Sequence, residues 1–196
     1  MTDFLQAICG LKNIPRSGWI CHGVSLQDVE SVADHTFSTC ALSAALAELE
    51  TKMGNRVKVE TVLKMALFHD LAEVLTFDIS KAYLEYLGPR GQRIKNEVEA
   101  AATKQLGSAL RPFGLSGNYA KLSEEYAVGK TIESRIVHAA DGLDILLQVL
   151  NLRRRGYPEA TLRDLWNMTM KKLESSDLSS TKKILNGIRS ELRRLR

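Results

Sequence analysis

The sequence contains few of the residues that define several protein classes. It has 196 residues, of which three are cysteines and four are prolines. Cys9, Cys21 and Cys40 are scattered and form no C-x-x-C pair, which favours reduced thiols in a cytoplasm over a disulfide framework. No stretch approaches the roughly 18 consecutive apolar residues of a transmembrane helix. Residues 1–10 include Asp3 and lack a long apolar core, so no signal peptide is expected. We therefore predict a cytoplasmic protein with no membrane partner.

A strong excess of one charge is also missing. The chain has 27 lysine and arginine residues against 23 aspartate and glutamate residues, a formal net charge of +4. Much of the excess lies in Arg153–Arg155 and in the tail Glu191–Arg196. Such a tail can bind nucleic acid, but a solvated face or a helix end favoured by the macrodipole is commoner. We predict no nucleic-acid partner and keep a basic helical nucleic-acid-binding protein as an alternative from another class.

The alternating pattern of β-strands is absent too. Apolar residues recur with periods near 3.6, which predicts an all-α fold. The length favours one domain over residues 1–196, with a core of about 16–152 and C-terminal helices of about 159–196. Gly54 and Gly107 are expected to end two of the helices, and residues 12–18 to form a loop. The predicted helices are 3–11, 31–53, 57–68, 79–87, 92–106, 115–128, 131–152, 159–173 and 180–195.

The most informative stretch is KMALFHDLAEVLTFD, residues 64–78. Its apolar start leads to the adjacent pair His69 and Asp70, followed by Glu73 and Asp78. An imidazole beside a carboxylate offers one nitrogen and one oxygen ligand to a divalent metal. Adjacent side chains point about 100° apart on a helix, so this pair can share one ion only near a helix end or a kink. One such pair is weak evidence unless the chain supplies further ligands.

Two other residues can complete a ligand set. His35 lies in the second predicted helix and Asp141 in the long apolar helix 131–152, where a buried carboxylate is costly unless it meets a cation. Taken alone, His35 is most simply a core or surface histidine, and Asp141 a helix-face carboxylate paired with Arg135 or a distant lysine. Together the four side chains supply two imidazoles and two carboxylates. That donor set suits Mn²⁺, Fe²⁺, Co²⁺, Ni²⁺ or Zn²⁺ better than Ca²⁺.

The order H…HD…D in an all-helical chain resembles the HD-domain metal-dependent phosphohydrolases. Five segments in order resemble, more narrowly, the HD-domain 5′-deoxynucleotidases, which remove phosphate from deoxyribonucleoside 5′-monophosphates. These segments are residues 16–19 (RSGW), 30–35 (ESVADH), 69–73 (HDLAE), Asp78 and 141–148 (DGLDILLQ). The resemblance implies a single HD-domain helical bundle with a metal-binding core, a small-molecule nucleotide substrate and a homodimer. The nearest alternative is an HD-type phosphohydrolase acting on another nucleotide phosphoester.

The resemblance also implies roles for individual residues. The implied metal ligands are His35, His69, Asp70 and Asp141. Glu73 matches the catalytic carboxylate, and Arg16 matches the arginine that orients the phosphate. The implied substrate-binding residues are Arg16, Trp19, Asp70, Asp78 and Asp141, with Asp78 facing the deoxyribose. In some relatives the residues that match Glu73 and Asp78 hold a further cation instead.

Two positions depart from the family's pattern. Ser17 and Gly18 separate Arg16 from the tryptophan, whereas some members have these two residues adjacent, and Ser80 stands where the family often has proline. General chemistry still supports the roles. A carboxylate one helical turn from a metal ligand can exchange a proton, and an arginine offers a planar fork to phosphate.

Each of these residues also has an ordinary structural interpretation. Glu73 can be a solvent-facing helix glutamate, and Arg16 a loop charge. Trp19 can be a plain core residue, and Asp78 can cap the helix that follows it. These alternatives stay open at the level of sequence.

Overall fold

The computed structural model describes residues 2–194 and their side chains, except those of residues 2, 3, 81 and 82. This part of the chain is all-α, as predicted, and its only β pairing is an isolated antiparallel bridge between Pro15 and Ser31. No helix within it is long and apolar enough to cross a membrane. The helices are α1 (Thr2–Gly10), α2 (Ser17–Cys21), α3 (Val32–Lys52), α4 (Val59–Phe68), α5 (Glu73–Thr76), α6 (Lys81–Glu85), α7 (Gly91–Leu110), α8 (Ser116–Val128), α9 (Ile132–Arg154), α10 (Glu159–Glu174) and α11 (Ser179–Arg194).

Every helix predicted from periodicity is present, and most of the observed ends lie within two residues of the predicted ones. The end of the last predicted helix, at residue 195, lies outside the described residues. Gly54 ends α3 as expected: it has a φ of +93°, its N–H donates to the carbonyl of Thr51, and the N–H of Asn55 donates to the carbonyl of Glu50. This pair of bonds is a Schellman motif, which satisfies the last carbonyls of the helix.

Two expectations about helix boundaries were wrong. Gly107 does not end α7, because Leu106 and Leu110 are buried on either side of it and tertiary packing outweighs the low helix propensity of glycine. The helix ends at Leu110, just before Pro112, which cannot donate a backbone hydrogen bond. The predicted loop 12–18 is partly helical, since α2 begins at Ser17.

The described residues form two compact units. The first contains the residues up to Thr36 and Leu67–Ala127, and the second contains Phe37–Ala66 and the residues from Val128 onward. The prediction of one domain over residues 1–196, with a core of about 16–152 and C-terminal helices of about 159–196, stays a prediction.

The core of the first unit holds the short helix α5 in place. Helix α5 packs against both α1 and α7, and the approach of α1 is close because Gly10 has no side chain. A Cβ at Gly10 would lie 2.6 Å from Cγ2 of Val74. The buried residues of this core are Ala7, Leu11, Ile14, Val32, Leu71, Ala72, Ala102, Leu106, Leu110 and Tyr119. Because α5 begins with Glu73, this packing also fixes that carboxyl group.

The core of the second unit is built around α9, which packs against α10 and α11. Buried residues lie all round α9, including Ile136, Leu143 and Leu150. Gly142 allows α10 to approach closely, since a Cβ there would lie 3.0 Å from Cδ2 of Leu173. The position of Asp141, next to Gly142, is therefore set by tight helix packing.

A buried carboxylate within the second unit joins the end of α3 to the start of α11. Glu50 is 1% exposed. It accepts hydrogen bonds from the backbone N–H of Ser180 at 2.9 Å and from the side-chain amide of Asn55 at 2.6 Å. Burial raises the pKa of Glu50, but the hydrogen bonds from Ser180 and Asn55 outweigh it and lower the pKa below its ordinary value. The ionised side chain therefore satisfies one of the free N–H groups at the start of α11.

We expect Glu50→Gln to lower the free energy of unfolding by about 1–3 kcal/mol near neutral pH, because an ionised acceptor makes stronger hydrogen bonds than an amide. The pKa of Glu50 is lower in the folded protein than in the unfolded chain. Its contribution is thus complete above the unfolded-state pKa and is lost as the pH falls through the folded-state value. Denaturant unfolding at neutral and at acidic pH measures both effects.

The control for this experiment is Glu48→Gln, which changes an exposed glutamate on the same helix. It should leave stability almost unchanged at either pH. An equal loss of stability for Glu50→Gln at neutral and acidic pH would contradict the proposed role of the ionised carboxylate.

Candidate metal centre

Three of the predicted ligands converge within the first unit. Nε2 of His35 lies 3.4 Å from Nε2 of His69. Oδ2 of Asp70 lies 3.5 Å from the nitrogen of His35 and 3.2 Å from that of His69. Donor atoms that share an ion at about 2.0–2.2 Å lie roughly 3.0–3.5 Å apart when they occupy neighbouring coordination positions. The three donors therefore fit a single divalent cation.

The adjacent pair converges because of where α4 stops. This helix ends at Phe68, so His69 and Asp70 lie in the turn that follows and not in a helix interior. The angle of about 100° between neighbouring side chains on a helix no longer applies. The helix end on which the sequence prediction depended is thus present.

His35 is held in position by the capped start of α3. The side chain of Ser31 accepts a hydrogen bond from the N–H of Asp34, and the carboxylate of Asp34 accepts one from the N–H of Ser31, at 3.1 and 3.0 Å. This reciprocal arrangement is a capping box with aspartate at its third helical position. The fully buried imidazole of His35 comes from the next residue, so its backbone is fixed by the cap.

The surroundings of Asp70 keep its carboxyl group ionised. Burial alone raises the pKa of Asp70, but the neighbouring side chains of His69, Arg16 and His35 outweigh it and hold the pKa well below its usual range. An ionised carboxylate is the state that metal ligation requires.

Arg16 reaches the same group despite the two residues between it and Trp19. Its Nη1 lies 3.1 Å from Oδ2 of Asp70, 3.9 Å from Oε2 of Glu73 and 3.8 Å from Oδ1 of Asp78. The backbone N–H of Arg16 donates to the carbonyl of Glu30 at 3.0 Å, which fixes the start of α2. The guanidinium group is therefore placed to bind an anion beside the three candidate ligands.

Glu73 is a buried carboxyl group, not a solvent-facing one. It is 5% exposed, and within the described part of the chain its Oε2 has no hydrogen-bond partner. Burial raises the pKa of Glu73 well above its ordinary value, and the carboxylates of Asp70 and Asp78 raise it further, against the opposing effect of Arg16 and Lys95. A carboxyl group in this environment readily holds a proton, which suits a general acid.

Asp78 makes its hydrogen bond to α2. Its Oδ2 accepts from the backbone N–H of Ser17, the first residue of α2, at 2.6 Å. Its other oxygen lies near Arg16. The carboxylate therefore belongs to the group of charges around Arg16, and its role toward a sugar stays a prediction.

Phe77, the residue before Asp78, has an unusual backbone conformation. Its φ is +58° and its ψ is 167°, and among the described residues it is the only non-glycine residue with a positive φ. Such a conformation costs a residue with a side chain about 1–3 kcal/mol. The phenyl ring is 65% exposed, so burial of the ring does not offset this cost.

Trp19 has a different environment from the one that a substrate pocket suggests. Its side chain is 3% exposed, and its indole N–H donates to Oε1 of Glu30 at 2.8 Å. This placement matches the alternative of a core tryptophan. A contact between Trp19 and substrate stays a prediction.

Asp141, the fourth predicted ligand, is on α9 in the second unit. Oδ2 of Asp141 lies 3.9 Å from Nζ of Lys172. Arg135, the partner suggested by the sequence, instead pairs with Asp177. Ligation of a metal by Asp141 stays a prediction.

A cation near the first-unit carboxylates has no distinctive signal in the sequence. Lys95 is on α7, which packs against α5, and its Nζ lies 3.2 Å from Oε1 of Glu99. Burial lowers the pKa of Lys95, but the carboxylates of Glu99, Glu73 and Asp70 outweigh it and raise the pKa. The spacing of Lys95 and Glu99 is an ordinary i,i+4 helix pair, so no sequence signal separated it from a surface ion pair.

Known proteins that resemble this chain point to one family. Residues 8–180 match the sequence profile of an HD domain, HD_3. The human protein named 5′-deoxynucleotidase HDDC2 is 26% identical over 178 residues, which cover 91% of this chain and 80% of that protein. A conserved hypothetical protein from Pyrococcus furiosus is 31% identical and superposes with a TM-score of 0.80, covering 97% of this chain and 99% of the other.

An HD-domain phosphohydrolase from Listeria innocua superposes with a TM-score of 0.78 at 24% identity, covering 99% of this chain and 95% of the other. At that identity the likeness concerns the fold alone.

Proposed function

Because the chain belongs to the HD-domain family, we propose that it is a metal-dependent 5′-deoxynucleotidase that hydrolyses deoxyribonucleoside 5′-monophosphates to deoxyribonucleosides and phosphate. Membership of this family and relatives with the name 5′-deoxynucleotidase identify the chain as a phosphoric monoester hydrolase. The observation that carries the finer proposal is the convergence of His35, His69 and Asp70, with Arg16 beside them.

The proposed metal ligands are His35, His69 and Asp70, with Asp141 as the fourth. The mixed imidazole and carboxylate set favours Mn²⁺, Fe²⁺, Co²⁺, Ni²⁺ or Zn²⁺. A divalent cation held by these residues would polarise a phosphoryl oxygen and would lower the pKa of water to near neutral pH. The side chains of the protein supply the remaining chemistry.

Arg16 and Glu73 are the proposed catalytic side chains. The planar guanidinium of Arg16 offers two parallel N–H groups to the phosphate oxygens, and this contact would orient the phosphorus for in-line attack. As the oxygen of water bonds to phosphorus and gives up one proton to the solvent, the bond from phosphorus to the 5′-oxygen breaks. The carboxyl group of Glu73, whose burial favours its protonated form, donates the proton that the 5′-oxygen needs to leave as a hydroxyl group.

Asp78 is the proposed sugar-recognising residue. A carboxylate beside the sugar accepts a hydrogen bond from the 3′-OH and leaves little room for a 2′-OH. A site built around a specific hydrogen bond discriminates strongly, because a mismatched analogue leaves buried polar groups unpaired. Deoxyribonucleotides are therefore the proposed substrates.

We expect the wild-type enzyme to have a kcat/KM for deoxyadenosine 5′-monophosphate at least about tenfold higher than for its ribo counterpart or its 3′-phosphate isomer. Asp78→Ala should lose part of this discrimination. The measurement is kcat/KM for the three compounds on both proteins, with phosphate release as the signal. Asp164→Ala, at an exposed position on α10, is the control.

Equal wild-type values for the deoxy and ribo 5′-monophosphates would contradict deoxy specificity and leave an HD-type phosphohydrolase acting on another nucleotide phosphoester. Because Asp78 also accepts a hydrogen bond from Ser17, the Tm of the variant must be measured alongside. A cytoplasmic location, a homodimer and the absence of a nucleic-acid partner stay predictions from the sequence and its resemblance.

A further inference from the structure

Phe77 combines two features that are unfavourable in the free protein. Its backbone has a φ of +58° and a ψ of 167°, a region that glycine enters freely and that side-chain-bearing residues avoid. Its ring is also largely exposed to solvent. Glycine at this position would remove both, so folding alone gives no reason for a phenylalanine here. Strained backbone of this kind often marks a functional position.

The chain is fixed on both sides of Phe77. Before it, the hydroxyl of Thr76 donates to the carbonyl of Phe77 at 3.0 Å, and α5 packs against α1 and α7. After it, Asp78 accepts the hydrogen bond from Ser17 at 2.6 Å. The backbone that carries the exposed ring is therefore fixed directly next to the residue proposed to bind the deoxyribose.

We propose that the ring of Phe77 stacks on the nucleobase of the substrate and is a specificity-determining residue of the site. The proposal rests on the proposed function. The base is attached to the same small sugar ring whose 3′-OH Asp78 would bind, and neighbouring Cα atoms are about 3.8 Å apart. A phenyl face binds any base, because every base presents a flat π surface. The substrate class is thus a deoxyribonucleoside 5′-monophosphate of any base.

The test compares a substrate that has a base with one that lacks it. We expect Phe77→Gly to lower kcat/KM for deoxyadenosine 5′-monophosphate by about tenfold or more, mostly through KM, the size expected for one stacked base. The kcat/KM for 2-deoxyribose 5-phosphate, which has no base to stack, should stay within about twofold of the wild-type value. Phe77→Tyr keeps an aromatic face and should restore most of the nucleotide activity.

Two controls separate recognition from folding. Glycine adopts a positive φ without strain, so the Tm of Phe77→Gly should not fall below the wild-type value. Phe113→Ala removes another partly exposed phenyl ring of the first unit and should leave both substrates unaffected.

Two results would contradict stacking by Phe77. An equal loss on the nucleotide and on the sugar phosphate would overturn the proposal and make Phe77 a positioning residue for Asp78. Unchanged kinetics together with a changed sedimentation coefficient would also overturn it, because a second copy of the chain would then cover the ring. If the wild type hydrolyses no deoxynucleotide better than its ribo counterpart, the proposed deoxy specificity fails. The comparison of Phe77→Gly on the nucleotide and on the sugar phosphate then still decides the stacking by itself.

Discussion

Replacing Glu73 with glutamine should lower kcat by about 10²-fold or more, while the bound metal and the affinity for nucleotide stay near their wild-type values. A lost general acid or base usually costs 10²–10⁴-fold, and glutamine keeps the shape of the side chain while it removes the exchangeable proton. Glu73→Ala should have a similar effect on kcat. Single-turnover and steady-state kinetics, with elemental analysis of the same samples, give the measurement.

The environment of Glu73 also predicts the effect on stability. The carboxyl group is buried beside Asp70 and Asp78, and both raise its pKa. A neutral amide, like the protonated carboxyl group, carries no charge beside these carboxylates, so Glu73→Gln should fold with a Tm no lower than that of the wild type. Glu124→Gln, at an exposed position on α8, is the control and should change neither kcat nor Tm. Near-normal turnover in Glu73→Gln would contradict the catalytic role and leave Glu73 with a structural role only.

Removing a metal ligand is the second change with a large expected effect. We expect the wild type to hold about one divalent ion per chain, and His69→Ala and Asp141→Ala should each lose this ion and the activity with it. Added metal should raise the Tm of the wild type, since a ligand at 100 times its Kd stabilises the folded state by about 2.7 kcal/mol. The same addition should have little effect on either variant.

Elemental analysis and thermal unfolding with and without metal test this expectation. His22→Ala is the matched control, because the ring of His22 instead makes a hydrogen bond with the carbonyl of Gly18. Full metal occupancy in both His69→Ala and Asp141→Ala would contradict the proposed metal site. Loss in His69→Ala with full occupancy in Asp141→Ala would leave a three-ligand site within the first unit.

The long helices could be predicted because apolar residues recur along the chain with a period near 3.6. The convergence of His69 and Asp70 could also be anticipated, since it required only that α4 end near Phe68, which is a local feature. His35 lies 34 positions from His69, so it could be added only because the order H…HD…D resembles the family. Arg16 could be assigned only through the resemblance, because nothing local to it indicates three carboxylates far along the chain.

Other features left no signal that could be recognised. Helices α2 and α5 have five and four residues, which is too short for a period of 3.6 residues to emerge. The positive φ of Phe77 could not be expected, because residues with a side chain rarely adopt it. Glu50 looks like any polar helix residue, because its partner Ser180 lies 130 positions away. In each case the cause is tertiary, and only the folded chain shows it.

The hydrogen bond between Ser17 and Asp78 has a consequence for how this family can diverge. The donor is the main-chain N–H of position 17, which every amino acid except proline supplies. The residue at position 17 can therefore be replaced by many others while the carboxylate of Asp78 keeps its backbone N–H donor. A substitution at position 17 by any residue other than proline would therefore leave this hydrogen bond to Asp78 in place.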